Sequence, residues 1–296
     1  MRGERADPGR ILARAGEELQ RHFDGELAAG LYVVATPIGN LGDITLRALA
    51  VLARADAVLC EDTRHSRTLL SHFGIGTPAR PYHEHNAAKE RPRVLADLAA
   101  GQRIALISDA GTPLVSDPGW KLVREAIDAG HRVEALPGAS ATLSALAVAG
   151  LPTDAFLFAG FLPPKSAGRR ARIAELAAVP ATLVFFEAPS RIGETVADLA
   201  AVLGPRPAAL ARELTKLHEE LWWGSLAEAG EKWGSAARGE FTIVVAGRDP
   251  VKADPAVALD LARRLLAEGA GPSQAAREAA AATGVPRREI YEELVR

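Results

Sequence analysis

Cysteine is almost absent from this 296-residue chain. Cys60 stands alone, which excludes an intramolecular disulfide and a zinc site built on clustered thiolates. It ends the apolar run Ala57-Val58-Leu59-Cys60 and reads as a core residue. An excess of either charge is also missing. The 35 Lys and Arg against 37 Asp and Glu leave a net charge of −2, so any RNA contact has to come from a local patch. No apolar run is long enough to span a membrane. The arginine-bearing N-terminus lacks the apolar core and small-residue cleavage site of a signal peptide. A cytoplasmic protein without a membrane partner is therefore expected. Neither G-x-x-x-x-G-K-[ST] nor G-x-G-x-x-G occurs, which removes the common NTPase and dinucleotide readings. No internal repeat is evident.

What is present is an ordinary globular composition, 48% hydrophobic and 24% charged, in a chain long enough for two domains and a small third element. Strand-like and helix-like segments alternate from residue 31 to about 150. The strands read as Leu31–Ala35, Ala57–Cys60, Arg103–Ile107 and Arg132–Leu136. The helices read as Asp43–Arg54, Arg64–His72, Arg91–Ala100, Lys121–Ala129 and Ser140–Val148. This alternation predicts an α/β domain with a parallel sheet, whose ligands sit beyond the carboxyl ends of the strands. A second α/β domain with a mixed sheet follows, with strands at Phe156–Ala159, Thr182–Phe186, Ala208–Arg212, His218–Trp223 and Phe241–Ala246. The last two are close enough in sequence to pair antiparallel. Three helices, Ala256–Ala267, Ser273–Thr283 and Arg287–Val295, close the chain in a helix-turn-helix-like pattern, with Ser273 as an N-cap. Arg248-Asp249-Pro250 precedes them. The expected division is an N-terminal extension over 1–30, domains over 31–152 and 153–248, and a helical tail over 249–296. Within the extension, residues 1–9 are expected to be disordered, and 10–28 either to form a short amphipathic helix or to reflect an upstream start codon.

Two loops carry the strongest functional signal. Thr36-Pro37-Ile38-Gly39-Asn40-Leu41-Gly42-Asp43-Ile44-Thr45 leaves the first strand, and its glycines let backbone approach a ligand closely. Ser108-Asp109-Ala110-Gly111-Thr112-Pro113-Leu114-Val115-Ser116-Asp117-Pro118-Gly119 is longer than a connecting turn needs to be. Pro137-Gly138-Ala139-Ser140-Ala141 ends a third strand on the same edge, so the three make one cleft. Glu61-Asp62-Thr63-Arg64 also ends a strand, where Asp62 is a candidate proton acceptor and equally a helix cap. His83-Glu84-His85-Asn86 lacks a third ligand and is read as a substrate-facing or solvated loop, not a metal site. Lys165, Arg169, Arg170 and Arg172, then Arg191, Arg212 and Lys216, lie near strand ends. They suit a phosphate-binding rim or plain surface charge.

Taken in order, these segments resemble one family. Together with Leu136-Pro137-Gly138, Gly160-Phe161-Leu162-Pro163 and Ala211-Arg212-Glu213-Leu214-Thr215-Lys216, they are similar to the tetrapyrrole methylase superfamily. Within it, they look like the bacterial 16S rRNA (cytidine-1402-2′-O)-methyltransferases. The likeness runs from Leu31 to about Ala246 and leaves out the first thirty residues. It implies a homodimeric enzyme that binds S-adenosylmethionine between two domains and acts on 16S rRNA in the small ribosomal subunit, not on DNA. It places donor contacts at Pro37, Ile38, Gly39, Asp109, Ala110, Gly111, Leu114, Val115, Ser140 and Ala141, with Glu187 and Leu214 reaching in from the second domain. Candidate bases are Asp62, Glu61 and Glu213, Asp62 being preferred. Arg64, His83, His85, Asn86, Lys165, Arg169, Arg170, Arg191 and Lys216 are the candidate RNA contacts. The alternatives are a methylase of a tetrapyrrole or other small acceptor, and a non-catalytic rRNA-binding assembly factor.

Overall fold

The computed structural model describes residues 7–117, 119–233, 238–248 and 254–295. The expectation of disorder over 1–9 thus lies outside the described residues except at its end. There, Asp7 accepts the Gly9 N–H and caps a helix, α1 (Pro8–Asp24), which Pro8 starts without losing a hydrogen bond. The loop residue Pro118 and the linker residues Asp249 and Pro250 also lie outside.

The first sheet is built from β1 (Gly30–Val34), β2 (Ala57–Cys60), β3 (Ala79–Pro81), β4 (Arg103–Leu106) and β5 (Val133–Leu136) in the order β3-β2-β4-β1-β5, all parallel. Its helices are α2 (Leu46–Arg54), α3 (Thr63–His72), α4 (Glu84–Ala99), α5 (Trp120–Asp128) and α6 (Ala141–Val148). Alternation along β1 sends Tyr32 and Val34 into a core with α2, and Leu31 into a second core with α4 and α5. Cys60 is fully buried in the first of these, as expected.

Two helix starts differ from the sequence reading. α2 begins at Leu46, not Asp43, because Leu41–Asp43 forms a 3-10 turn and the Thr45 hydroxyl accepts the Ala48 N–H as the cap. α4 begins at Glu84, not Arg91. The His83 N–H donates to the Asn86 side chain at 2.8 Å, so the capping residues precede Pro92, which lies inside the helix. His83, His85 and Asn86 therefore belong to a helix start and not to a free loop.

The second sheet comprises β6 (Phe156–Phe161), β7 (Thr182–Glu187), β8 (Pro207–Arg212), β9 (Glu220–Ser225) and β10 (Phe241–Val245) in the order β6-β7-β10-β8-β9. One face is covered by α7 (Ser166–Leu176), α8 (Ile192–Leu203) and α9 (Leu226–Trp233). The expected pairing of the last two strands does not form. α9 lies between them, and β10 enters the middle of the sheet, antiparallel to both β7 and β8. Burial explains the order: all five residues of β10 are buried, while β9 is only partly covered and takes the edge beside β8. The opposite face packs against the first unit. Val184, Ala209, Ala211 and Val244 meet Ala145 and Leu146 of α6 and Ala149, its C-cap, along with Ile38 and Leu214. Trp223 Nε1 donates to the Val148 carbonyl at 2.8 Å across the same junction.

The tail forms α10 (Pro255–Ala267), α11 (Pro272–Thr283) and α12 (Arg287–Leu294) around a small core of Ala258, Ala262, Ala276, Ala279, Val285 and Ile290. Gly284, in the left-handed region, ends α11. Ser273 is not the cap of α11. Gly271 holds that position and Pro272 the first turn, while the Ser273 hydroxyl accepts a hydrogen bond from Arg287.

Candidate active site

The carboxyl ends of β1, β4 and β5 deliver three loops that are tied to one another. Thr36 and Gly111 exchange backbone hydrogen bonds of 2.9 and 3.0 Å. The Ser108 hydroxyl donates to the Gly111 carbonyl at 3.2 Å, and the Thr112 hydroxyl donates to that of Ala139 at 3.3 Å. Gly111 has φ +78°, and a Cβ there would meet Ile38 Cγ2 at 3.2 Å, so glycine is what lets the first two loops close on each other. Ser140, on the third of these loops, caps α6 by accepting the Leu143 N–H.

A fourth segment arrives from the second sheet. Beyond β8, Leu214 packs against Ile38, and the Asn40 N–H donates to the Thr215 hydroxyl at 3.1 Å. Gly39 lies so close that a Cβ would stand 2.9 Å from Thr215 Oγ1 and 3.0 Å from the Leu214 carbonyl oxygen. The first loop is therefore clamped between the units. Backbone strain gathers at this junction. Among the described residues, the non-glycine positions with positive φ are Leu114, Ser116, Glu213 and Thr215, all on the two loops that flank the cleft. Such conformations cost of order 1–3 kcal/mol each and concentrate at functional sites.

The candidate carboxylates have different environments. Asp62 caps α3 and is gripped by Arg64 through Nε at 3.2 Å and Nη2 at 2.8 Å. The guanidinium, with the Arg64 N–H, holds the Asp62 carboxyl down at about 2. Burial alone would raise Glu213, but the Glu240 N–H and the Lys216 ammonium outweigh it and leave it below its ordinary value. Asp109 accepts the Asp62 N–H at 3.1 Å and so ties the end of β2 to the long loop. Asp117 was not singled out from the sequence, although its loop was. Its burial, with the nearby charge of Glu61, pushes it up to about 6 against an opposing hydrogen bond from Ser108; Asp109 adds to the rise. The second acidic position in that loop was the available signal. What sequence alone does not give is the proximity of Glu61, carried by another strand.

The cations divide into two sets. Arg169 is 1% exposed, donating to Asp198 at 2.7 Å and to the Pro164 carbonyl at 3.1 Å. It is a core residue and not part of an exposed rim. Arg191 donates through Nε to Glu187 at 2.8 Å, and Lys216 lies between Glu213 and Glu240. Glu187 is buried, with its oxygens taken by Arg191, Thr195 and its neighbour's N–H, so its carboxylate is not available to a ligand. Arg64, Lys165 and Arg170 do face solvent. The rings of His83 and His85 lie 6.0 Å apart at the start of α4. Pro37, Ala110, Val115 and Ala141 sit on the three loops of the first unit, beside Ile38 and Leu114.

Residues 30–230 match the family Tetrapyrrole (Corrin/Porphyrin) Methylases, and residues 252–295 match the RsmI C-terminal HTH domain. The chain is 52% identical over 272 residues to the Ribosomal RNA small subunit methyltransferase I of Mesorhizobium japonicum, covering 91% of this chain and 92% of that protein. It is 47% identical over 278 residues to the protein of the same name from Micromonospora olivasterospora, covering 93% and 89%. A solved uroporphyrin-III C-methyltransferase from Thermus thermophilus, complexed with S-adenyl homocysteine, shares the fold at TM-score 0.52 and 21% identity, over 73% of this chain and 96% of that one.

Proposed function

The chain belongs to the tetrapyrrole methylases and, among them, to the family of ribosomal RNA small subunit methyltransferase I, and from that premise we propose that it methylates the 2′-hydroxyl of cytidine 1402 in 16S rRNA with S-adenosylmethionine. The observation that carries the reading is the clamped cleft, in which loops from both units meet around Gly39 and Gly111.

The chemistry of the cleft suits the donor. Ile38, Leu114, Val115 and Leu214 offer apolar surface to an adenosine. Asp109, Asp117 and Glu61 supply negative charge near a sulfonium, and Pro37, Gly39, Ala110, Gly111, Ser140 and Ala141 offer backbone groups. When bound, the donor supplies a methyl group already activated on a cationic sulfur. The chain's own work is then alignment, to which the strained loops contribute rigidity, and removal of one proton. The chain's part in the transfer would be to hold the ribose hydroxyl in line with the donor's methyl group and to take the hydroxyl proton on a carboxylate. We assign that carboxylate to Asp117 in preference to Asp62, since Arg64 makes Asp62 a weak base. To Arg64, Lys165 and Arg170, all exposed, we assign contacts with RNA phosphates.

We take the working form to be a cytoplasmic homodimer acting on the small subunit. The exposed Trp120 and Ile127 of α5, and Leu143 and Val148 of α6, suit burial against a second copy. Among the described residues, no helix is long and apolar enough to cross a membrane.

The test uses small subunits from a strain lacking the enzyme, incubated with labelled donor and mapped by alkaline hydrolysis. The expected result is a new block to cleavage at cytidine 1402. Label entering uroporphyrinogen but not rRNA would refute the reading.

A further inference from the structure

β6 contains an irregularity with a consequence for the substrate. Phe158 pairs with Val184 of β7, but the next pair is Phe161 with Phe186, so three steps on β6 oppose two on β7. Gly160, at φ +65°, supplies the extra residue. In an unbroken strand Phe161 would share the face of Leu157 and Ala159, which pack into the core beneath α7, α8 and α9. The bulge reverses that parity. Phe161 joins Phe158 on the face turned toward the first unit, and both rings meet Phe186 edge to face, at centroid distances of 5.7 and 4.8 Å.

The result is an aromatic side chain delivered to the cleft and left 56% exposed. Its neighbour Gly160 abuts the long loop of the first unit, where a Cβ would stand 3.2 Å from Ser116 Oγ. Ser116 and Val115 are exposed on that loop, so the ring stands at the outer rim of the donor lining, whose buried part is Ile38 and Leu214. Exposed cations follow directly: Lys165 precedes α7, and Arg170 lies on it with its side chain 52% exposed. An exposed ring backed by a second ring, with cations alongside, is the combination that takes an unstacked base and its phosphates.

We propose that Phe161, supported by Phe186, is the platform on which the base of the target nucleotide stacks when it leaves the RNA fold to enter the cleft. The assignment rests on the rRNA reading above. It requires the base to be splayed out, as in enzymes that act on one nucleotide of a folded strand.

The test compares Phe161→Ala, Phe161→Leu and Phe161→Tyr with the wild-type protein. Each is assayed for KM and kcat on unmethylated small subunits, and for donor Kd by calorimetry. Loss of stacking should raise KM by roughly 5- to 150-fold in Phe161→Ala, with donor Kd unchanged. Phe161→Leu keeps apolar bulk without an aromatic face and should resemble Phe161→Ala, while Phe161→Tyr should restore KM. A KM unchanged in Phe161→Ala overturns the proposal, as does full rescue by leucine. A parallel weakening of donor Kd also overturns it, by placing the ring on the donor. If the wild-type protein does not methylate small subunits at all, the functional reading fails before the platform is reached.

Discussion

Arg169 offers the sharpest test of how the basic cluster divides. Its guanidinium is almost inaccessible and bonds Asp198 at 2.7 Å. Asp198 has a side chain only 12% exposed, and its other partners are the Ser166 hydroxyl and Arg170 at 3.6 Å. Arg169→Met preserves much of the stem volume but removes the charge that compensates Asp198. Breaking a buried pair from one side costs about 3–5 kcal/mol, because the remaining charge is left in a poor solvent. At about 2–4 °C per kcal/mol for a unit of this size, the melting temperature should fall by roughly 6–20 °C. Lys165→Ala, on the exposed side of the same cluster, should stay within about 0.5 kcal/mol of wild type. Arg169→Met with Asp198→Leu removes both charges and should recover most of the loss. Thermal unfolding followed by circular dichroism reads all three. A melting temperature for Arg169→Met within about 2 °C of wild type, together with a raised KM for small subunits, would refute the burial argument and return Arg169 to the RNA rim.

Asp117→Asn should lower kcat by about 100- to 10,000-fold with donor Kd near wild type, the loss expected for a general base. In the wild-type protein the carboxyl must be ionised to accept a proton, so the rate should fall as pH drops through about 6. The same raised value predicts that Asp117 contributes stability below its ordinary 3.8 and loses it as pH rises through about 6. The asparagine variant should thus melt higher than wild type at pH 8 but not at pH 3; an unaltered acid limb in the variant's residual activity would exclude Asp117 as the base. Gly39→Ala forces a Cβ against the Leu214 carbonyl and Thr215. Overpacking of this kind costs about 1–3 kcal/mol, so donor Kd should rise, and calorimetry showing wild-type affinity would dissolve the clamp argument.

How much was legible beforehand follows from the range of each determinant. The parallel sheet was legible because short buried strands and amphipathic helices announce themselves within a dozen residues, and the loops because glycine and proline mark their own positions. The place of β10 was not, since a strand's neighbours depend on which segments most need burial, and Phe241–Val245 needed it most. Helix starts slipped where side chains cap at short range: Thr45 delays α2 and Asn86 advances α4. The basic cluster failed for a longer-range reason. A run of arginines looks like surface until Asp198, on α8, is seen to draw Arg169 inward.

The bulge at Gly160 shows how a local cue acquires its meaning only in three dimensions. A glycine ending an apolar run reads as the end of the strand, and the strand was expected to stop at Ala159. The pairing with β7 shows that it continues with its parity reversed. A glycine inside a strand weakens it and frees the backbone for a positive φ. Here that freedom moves one phenylalanine from the α7–α9 face to the interdomain face and sets Gly160 against Ser116, itself strained at φ +68°. Gly160→Ala is therefore a different perturbation from Phe161→Ala. It keeps the ring but opposes the bulge that aims it, so it should raise KM for small subunits only to the extent that β6 reverts to regular pairing. A Gly160→Ala protein with regular pairing by hydrogen exchange and wild-type KM would show that the aim of the ring is immaterial.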